Sequence, residues 1–437
     1  MRIAIVGAGS AASICAASIF GIYRHYINTY DGPNLRNLKV TMISNPQIPT
    51  MKVGESLSPS LFRVLTSILS LKTLEDLDAL EIVLRVGARH KWENAVNPTF
   101  DVNYTTHPDG LKNVAAHFSS EKLGPFVLER LNKLYDNRIS CVYDDIKSIR
   151  QTENLAIAEG EYSSYTFDYI FDCRGFPSKQ ELDSDEYQYA PFDTVNSALL
   201  FQHEQAYNEP YTEVIFNKNG WQFGINTKNR KAYGYLYNHS VTEKEDALIH
   251  FKSMYPNLNI KDDNVKTLGW SAYSIKKPFK GRIISMGNRL YFYEPIQGIP
   301  LHYYLNFTHT VSSGLLINRI EDPLTNKIVM DSSINIEDIA NNYHREMMEN
   351  FYLVILSNYV GNRMDSDFWT NISEKSKKIL LESSKWMEFC REYHNYKTGL
   401  RPDYPKFTPH PGNVIRQYMD GLNVPIEKFL DWKNPDA

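Results

Sequence analysis

The chain has 437 residues, 42% of them apolar and 22% charged, with a formal net charge of −4. That balance is ordinary for a soluble globular protein and leaves no basic footprint for nucleic acid or an anionic membrane. The length allows two or three domains, or one large two-part enzyme.

The four cysteines (Cys15, Cys141, Cys173, Cys390) are far apart and none forms a C-x-x-C pair. Neither a disulfide framework nor a metal site is expected, and a reducing, cytoplasmic setting fits. A strand beginning at residue 2 leaves no room for a secretory leader. No apolar run approaches the ~18 residues of a membrane span.

Arg2 to Val6 reads as a buried strand, and Ser10 onward reads as a helix. Between them, Gly7, Gly9 and Ala12 match G-x-G-x-x-A. This strand–turn–helix order places a pyrophosphate on backbone N–H groups at a helix N-terminus. Gly7 suits the tight turn, Gly9 lets the backbone approach phosphate, and Ala12 needs only close packing. Ser10 and Ala11 belong to the same cradle.

Lys39 to Ser44 is the next strand of a βαβ unit. An acid usually ends this strand, on the ribose hydroxyls. Here Ser44 and Asn45 stand there, and both bond a hydroxyl more weakly than a carboxylate does.

Residues 48–60 (IPTMKVGESLSPS) read as a loop, and Leu61 to Leu71 as an amphipathic helix. Asp76 to Val86 carries a further apolar pattern, and 93–113 reads as loop. His117 to Leu134 suggests a helix interrupted near Gly124-Pro125. Short strands are expected around 139–143 and 154–158. Tyr169 to Phe176 (YIFDCRGF) is a strand running into Asp172. Residues 196–240 and 265–274 look β-rich, Arg282 to Met286 is a late strand ending at Gly287, and 300–437 is largely helical.

Several of these segments, taken in order, resemble the flavin-dependent halogenases of the tryptophan-halogenase type. GAGSAA looks like that family's GGGTAG turn. IPTMKVGESLSPS is similar to its flavin strap, with Val53, Gly54, Glu55 and Pro59 in place. AAHFSS around His117 resembles YHFDA, and FDCRGF resembles DCSGF, with Arg174 where serine is usual. WQFGIN is similar to W-x-W-x-I-P, keeping Trp221 and Ile225 but placing Phe223 and Asn226 for Trp and Pro. EPIQGI, with Glu294 and Pro295, resembles a shortened EPLESTGI. NRMDSDFWTNI, with Phe368 and Trp369, looks like the R-x-D-x-x-FW helix.

The resemblance implies an α/β fold: an FAD-binding Rossmann-like core of the aromatic-hydroxylase type, drawn from 1–180 and 275–320. A β-rich wall at 181–274 and a helical part at 321–437 would close the substrate side. It also implies FAD supplied reduced as FADH2 by a separate flavin reductase, a halide, and a small aromatic substrate. Oxidised halide would travel as hypohalous acid to a lysine beside the substrate. No nucleic acid, membrane or metal partner is implied, and a homo-oligomer is compatible.

Carried over residue by residue, the family's lysine falls on Arg85, with Lys91 the fallback and Lys52 a further amine in the strap. Arginine can orient hypohalous acid but stays protonated, which disfavours a haloamine. Gln297 stands where an assisting glutamate would be, and Glu294 is the alternative base. Gly298 and Ile299 would bind halide through backbone N–H groups. Asp172 and Gly287 would line the flavin, and Trp221, Phe223, Phe368 and Trp369 the substrate wall.

These departures point to an electron-rich phenol or indole other than a closely held tryptophan, and to bromide or iodide. Two rival readings share the fold: an aromatic hydroxylase, which would oxidise NADPH unaided, and a non-catalytic FAD-binding relative.

Overall fold

The computed structural model describes the chain except for residues 49–54, 94–98, 105–112, 136, 206–208, 297, 322–327, 330–334, 362–363, 404, 406, 408–411 and 434–437. Its central sheet runs, edge to edge, Phe279–Lys280, Ile283–Ser285, Tyr169–Asp172, Arg2–Val6, Lys39–Ser44 and Ile139–Tyr143. All neighbours are parallel except the first pair. Parallel strands are covered on both faces, which is why Ile3 to Val6 reads as an unbroken apolar run. Helix Ser10–Tyr26 packs on this sheet and against helix Pro300–Ile317. The carboxyl ends of five parallel strands meet at one edge, where open α/β sheets hold ligands.

A seven-stranded sheet forms the second layer, in the order Lys266–Gly269, Ser197–His203, Lys231–Tyr237, Gly220–Asn226, Tyr211–Asn217, Gly87–Trp92 and Phe100–Asn103. It is antiparallel except where Tyr211–Asn217 meets Gly87–Trp92. Two expectations change here. The stretch 93–113 contains the strand Phe100–Asn103, and the wall takes in strands from within 1–180. GARHKW looks polar, but its inward residue His90 is buried and stacked on Phe100 at 4.4 Å. Gly87 permits the close pairing, since a Cβ there would lie 2.2 Å from the Val102 carbonyl oxygen. The outer face is covered by helix Lys244–Met254 through Phe251, Tyr235 and Leu199.

A third, three-stranded sheet orders Glu55–Leu57, Ala115–Phe118 and Val83–Arg85. His117 is therefore a mid-strand residue and not part of a helix. The helix begins at Ser120 and continues through Pro125 to Leu134 without the expected break. Pro125 lies within the first two turns, so its missing N–H removes one bond near an end that already lacks partners. Gly124 packs that helix against the opening turn, because a Cβ there would sit 2.8 Å from the Ala8 carbonyl oxygen.

The C-terminal part is built on helices Ile336–Ser357, Asp367–Glu382, Ser384–Lys397, Gly412–Gly421 and Ile426–Lys433, as its pattern predicts. Among the described residues, no helix is long and apolar enough to cross a membrane. Nor does any cluster of His, Cys, Asp or Glu among them suit a metal ion.

Candidate active site

The opening turn is enclosed by two later segments. Gly7 has φ +131°, and a Cβ there would lie 2.4 Å from the Cys173 carbonyl oxygen. Gly287, at φ +63°, abuts the Ala11 methyl. Open space remains where side chains at Gly9 and Gly175 would be. Among the described residues, Ser10 Oγ and Glu55 Oε2 are buried there without partners at hydrogen-bond geometry. Burial raises the Glu55 carboxyl from 4.5 to about 7, with Ser10 beside it opposing the shift. Orphaned polar atoms next to a helix N-terminus and vacant glycine positions fit a bound dinucleotide.

Asp172 is already saturated: Arg174 lies 2.9 Å away and Arg289 3.0 Å away. It holds two guanidinium groups at this edge, and Arg289 also reaches Glu181. Ser44 ends its strand on the same side, paired with Tyr143. The expected strap residues Lys52, Val53 and Gly54 lie outside the described residues, as does Arg363 of the R-x-D-x-x-FW segment.

In the 294–299 turn, Gly298 has φ +58° with open space at its Cβ position. Its N–H donates to the Pro295 carbonyl at 3.0 Å and closes the turn. Of the two donors expected to meet halide, the Gly298 N–H is thus engaged within the turn, and the other belongs to Ile299, which precedes helix Pro300–Ile317. Pro300 brings no N–H, and the helix start has no side-chain cap, so an anion there meets the helix dipole. Close by, His302 Nδ1 lies 3.2 Å from Ser58 Oγ and 3.1 Å from Ser60 Oγ, tying this helix to the start of helix Pro59–Ile68. Gln297 lies outside the described residues.

Arg85 ends the short strand Val83–Arg85, opposite Ala115. Pairing puts Ser56, His117 and Val83 on one face, so alternation adds Arg85 to it and sends Glu55 to the other. Arg85 Nη1 donates to Thr212 Oγ1, which also lies 2.7 Å from His117 Nε2. The Tyr104 ring covers the guanidinium at 5.1 Å. Burial, then the Arg85 charge, hold His117 well below its ordinary pKa, so it is neutral. Lys91 lies elsewhere. In its strand His90 and Trp92 face Phe216, and alternation turns Lys91 to the opposite side of the sheet.

Glu294 sits in a closed network. Thr194 donates to Oε2, and Tyr359 OH lies 2.7 Å from Oε1 and 3.0 Å from Oε2. Burial raises its carboxyl from 4.5 to about 7 against those hydrogen bonds. The Trp221 indole stands against the same pair. Trp369 is pinned by its own N–H to the Asn217 carbonyl at 2.8 Å and packs on Tyr359 at 5.5 Å and Phe368 at 5.4 Å. Trp221, Phe368 and Trp369 are all buried, whereas Phe223 is half-buried, its ring lying over Gly234. Thr212 and the strand position opposite Trp221 are four residues apart, about 13 Å along the sheet. The geometry therefore separates Arg85 from Glu294.

Thr212, Thr194, Tyr359 and Arg289 were not read from sequence. Arg289 follows Gly287-Asn288 and could have been flagged by that adjacency. The others have no local signal, because their roles depend on register between distant strands.

A parallel sheet with a glycine turn beneath vacant, orphan-lined space defines a dinucleotide-binding flavoprotein fold. The family model described as tryptophan halogenase matches residues 2–122 and 134–398, and the chain belongs to that family. It is similar to tryptophan 7-halogenase RebH of Lentzea aerocolonigenes, 24% identical over 212 residues, or 46% of this chain. That match spans 37% of the relative's own length. The fold is similar to BrvH, a flavin-dependent halogenase from Brevundimonas sp. BAL3 (TM-score 0.72, 16% identity, covering 97% of this chain and 89% of that one). It is also similar to a tryptophan halogenase from Shewanella frigidimarina (TM-score 0.74, 15% identity, covering 100% and 94%).

Proposed function

We propose that this chain is a cytoplasmic FADH2-dependent halogenase acting on an electron-rich aromatic of the phenol or indole type, with bromide or iodide preferred to chloride. The observation that carries the reading is the three-stranded sheet of Glu55–Leu57, Ala115–Phe118 and Val83–Arg85. It sends Glu55 toward the dinucleotide turn on one face and Arg85 toward the β wall on the other. One small sheet thus couples a cofactor site to a charged group beyond it, as a route for a diffusing oxidant requires.

Reduced flavin and oxygen, when bound, supply the oxidising power that turns halide into hypohalous acid. The chain's residues do the rest. Gly7, Gly9, Ser10, Ala11 and Ala12 would hold the pyrophosphate, and Ser44 would meet the ribose. Glu55, Asp172, Gly287 and Pro295 would border the ring system. The Ile299 N–H, with Gly298 shaping the turn, holds halide at the helix start. Arg85 takes the lysine's place as the fixed charge that meets oxidant and substrate. Gln297 can orient a hydroxyl but cannot accept a proton. Trp221, Phe223, Phe368 and Trp369 keep flavin and aromatic apart.

A separate reductase would deliver FADH2. The test is mass spectrometry of products after incubation with FAD, a flavin reductase, NADH and mixed halides over a panel of phenols and indoles. Halogenated phenol or indole, bromide or iodide first, is expected. Peroxide alone under every halide would refute the reading, as would rapid NADPH oxidation without a reductase.

A further inference from the structure

We infer that Arg85, fixed by Thr212, is an oxyanion receptor that binds the aromatic substrate as a phenolate. This deepens the halogenase reading and rests on it for the chemistry after binding. Four basic side chains are buried among the described residues, and three have carboxylates: Arg230 with Glu121, Arg289 with Asp172, and Lys231 with Glu213. Arg85, only 7% exposed, has none among them. Among the described residues its Nε is buried without a partner, and its one hydrogen bond to them runs from Nη1 to Thr212. A buried guanidinium without a counter-charge costs several kcal/mol, so the site is complete only with an anion against the unpartnered Nε edge.

The surroundings preserve that demand. Thr212 Oγ1 accepts from Arg85, which leaves its own hydrogen for His117 Nε2 and fixes the hydroxyl between them. Among the described residues, the charged and titratable groups facing Arg85 are His117, Tyr104 and Tyr418, with Lys231 behind His117 and paired to Glu213. His117 is neutral, and burial raises the Tyr418 hydroxyl, so neither supplies a negative charge at neutral pH. Phe223 lies opposite Val214, two residues along the same face from Thr212. That is about 7 Å along the strand, which puts an aromatic ring on the sheet face that Thr212 shares with the guanidinium.

A phenolate oxygen on Arg85 donates electron density into the ring. A ring carbon then forms its bond to the halogen as the halogen–oxygen bond of hypohalous acid breaks. The released hydroxide takes the ring proton and leaves as water. A ring ionised beforehand needs no carboxylate base beside it, which suits glutamine at 297.

The test needs no flavin. A chromogenic nitrophenol is titrated with the protein, at a pH one unit below the phenol's own pKa, and the phenolate absorbance is followed. Binding should draw out the phenolate band. Arg85→Gln should remove the band and weaken binding about 10- to 100-fold, the worth of one charge-assisted hydrogen bond. Thr212→Val should weaken binding and Thr212→Ser restore it. Folding is monitored by the thermal midpoint, which Arg85→Gln should hold or raise because it removes an unpaired buried charge. A nitrophenol that does not bind, binds as the neutral phenol, or binds Arg85→Gln equally overturns the receptor. Phenolate binding with no halogenated product under any halide supports the receptor and refutes the halogenase reading alone.

Discussion

Replacing Glu294 with glutamine removes a carboxyl that the fold holds protonated to unusually high pH. Burial raises it from 4.5 to about 7. The folded state therefore binds its proton more tightly than the unfolded state does. Below pH 4.5 the group is protonated in both states and costs nothing. Between 4.5 and 7 only the unfolded chain ionises, and stability falls by about 1.4 kcal/mol per pH unit. Above 7 the loss levels off near 3 kcal/mol on that shift. Glutamine avoids this loss but gives up a charge-accepting oxygen to Thr194 and Tyr359, about 1 kcal/mol. Glu294→Gln should thus be slightly less stable than the parent near pH 4.5 and about 2 kcal/mol more stable at pH 8. Urea unfolding of both proteins across this range measures the difference directly. A difference that stays flat with pH would refute the reasoning.

Gly7→Ala forces a methyl group onto the Cys173 carbonyl at a φ of +131°, and FAD binding, read by flavin fluorescence, should be lost. Gly298→Ala meets open space but keeps a left-handed φ of +58°; about 1 kcal/mol of strain is expected, together with a raised halide KM at nearly unchanged FAD affinity. Trp369→Phe deletes the indole bond to the Asn217 carbonyl and should cost about 1–3 kcal/mol in denaturant titrations. If Trp369 acts chiefly on substrate, that variant will instead change KM without moving the unfolding midpoint.

Much of the cofactor half was legible because its signals are local. Strand Arg2–Val6, the Gly7–Gly9 turn and helix Ser10–Tyr26 are contiguous, and the strand at Lys39–Ser44 falls where its apolar run predicts. The β wall was legible only in part. GARHKW hides a buried strand because its inward residue is a histidine whose polarity is masked by stacking on Phe100. His117 looked helical because the strand holding it runs within two residues into a genuine helix.

The sequence by itself determined the glycine turn and the family resemblance, and from them the expectation that Arg85 stands where that family has a lysine. Each depends on residue identity and short-range spacing. Tertiary structure decided which of those residues share a site. Lys91 is six positions from Arg85 in the chain, yet alternation turns it to the far side of the sheet. Thr212 is 127 positions away and holds the guanidinium. Glu294 is sealed by Tyr359 and Thr194, away from Arg85. Register between distant strands fixes such meetings, and it follows from the packing of whole faces, which no local stretch encodes.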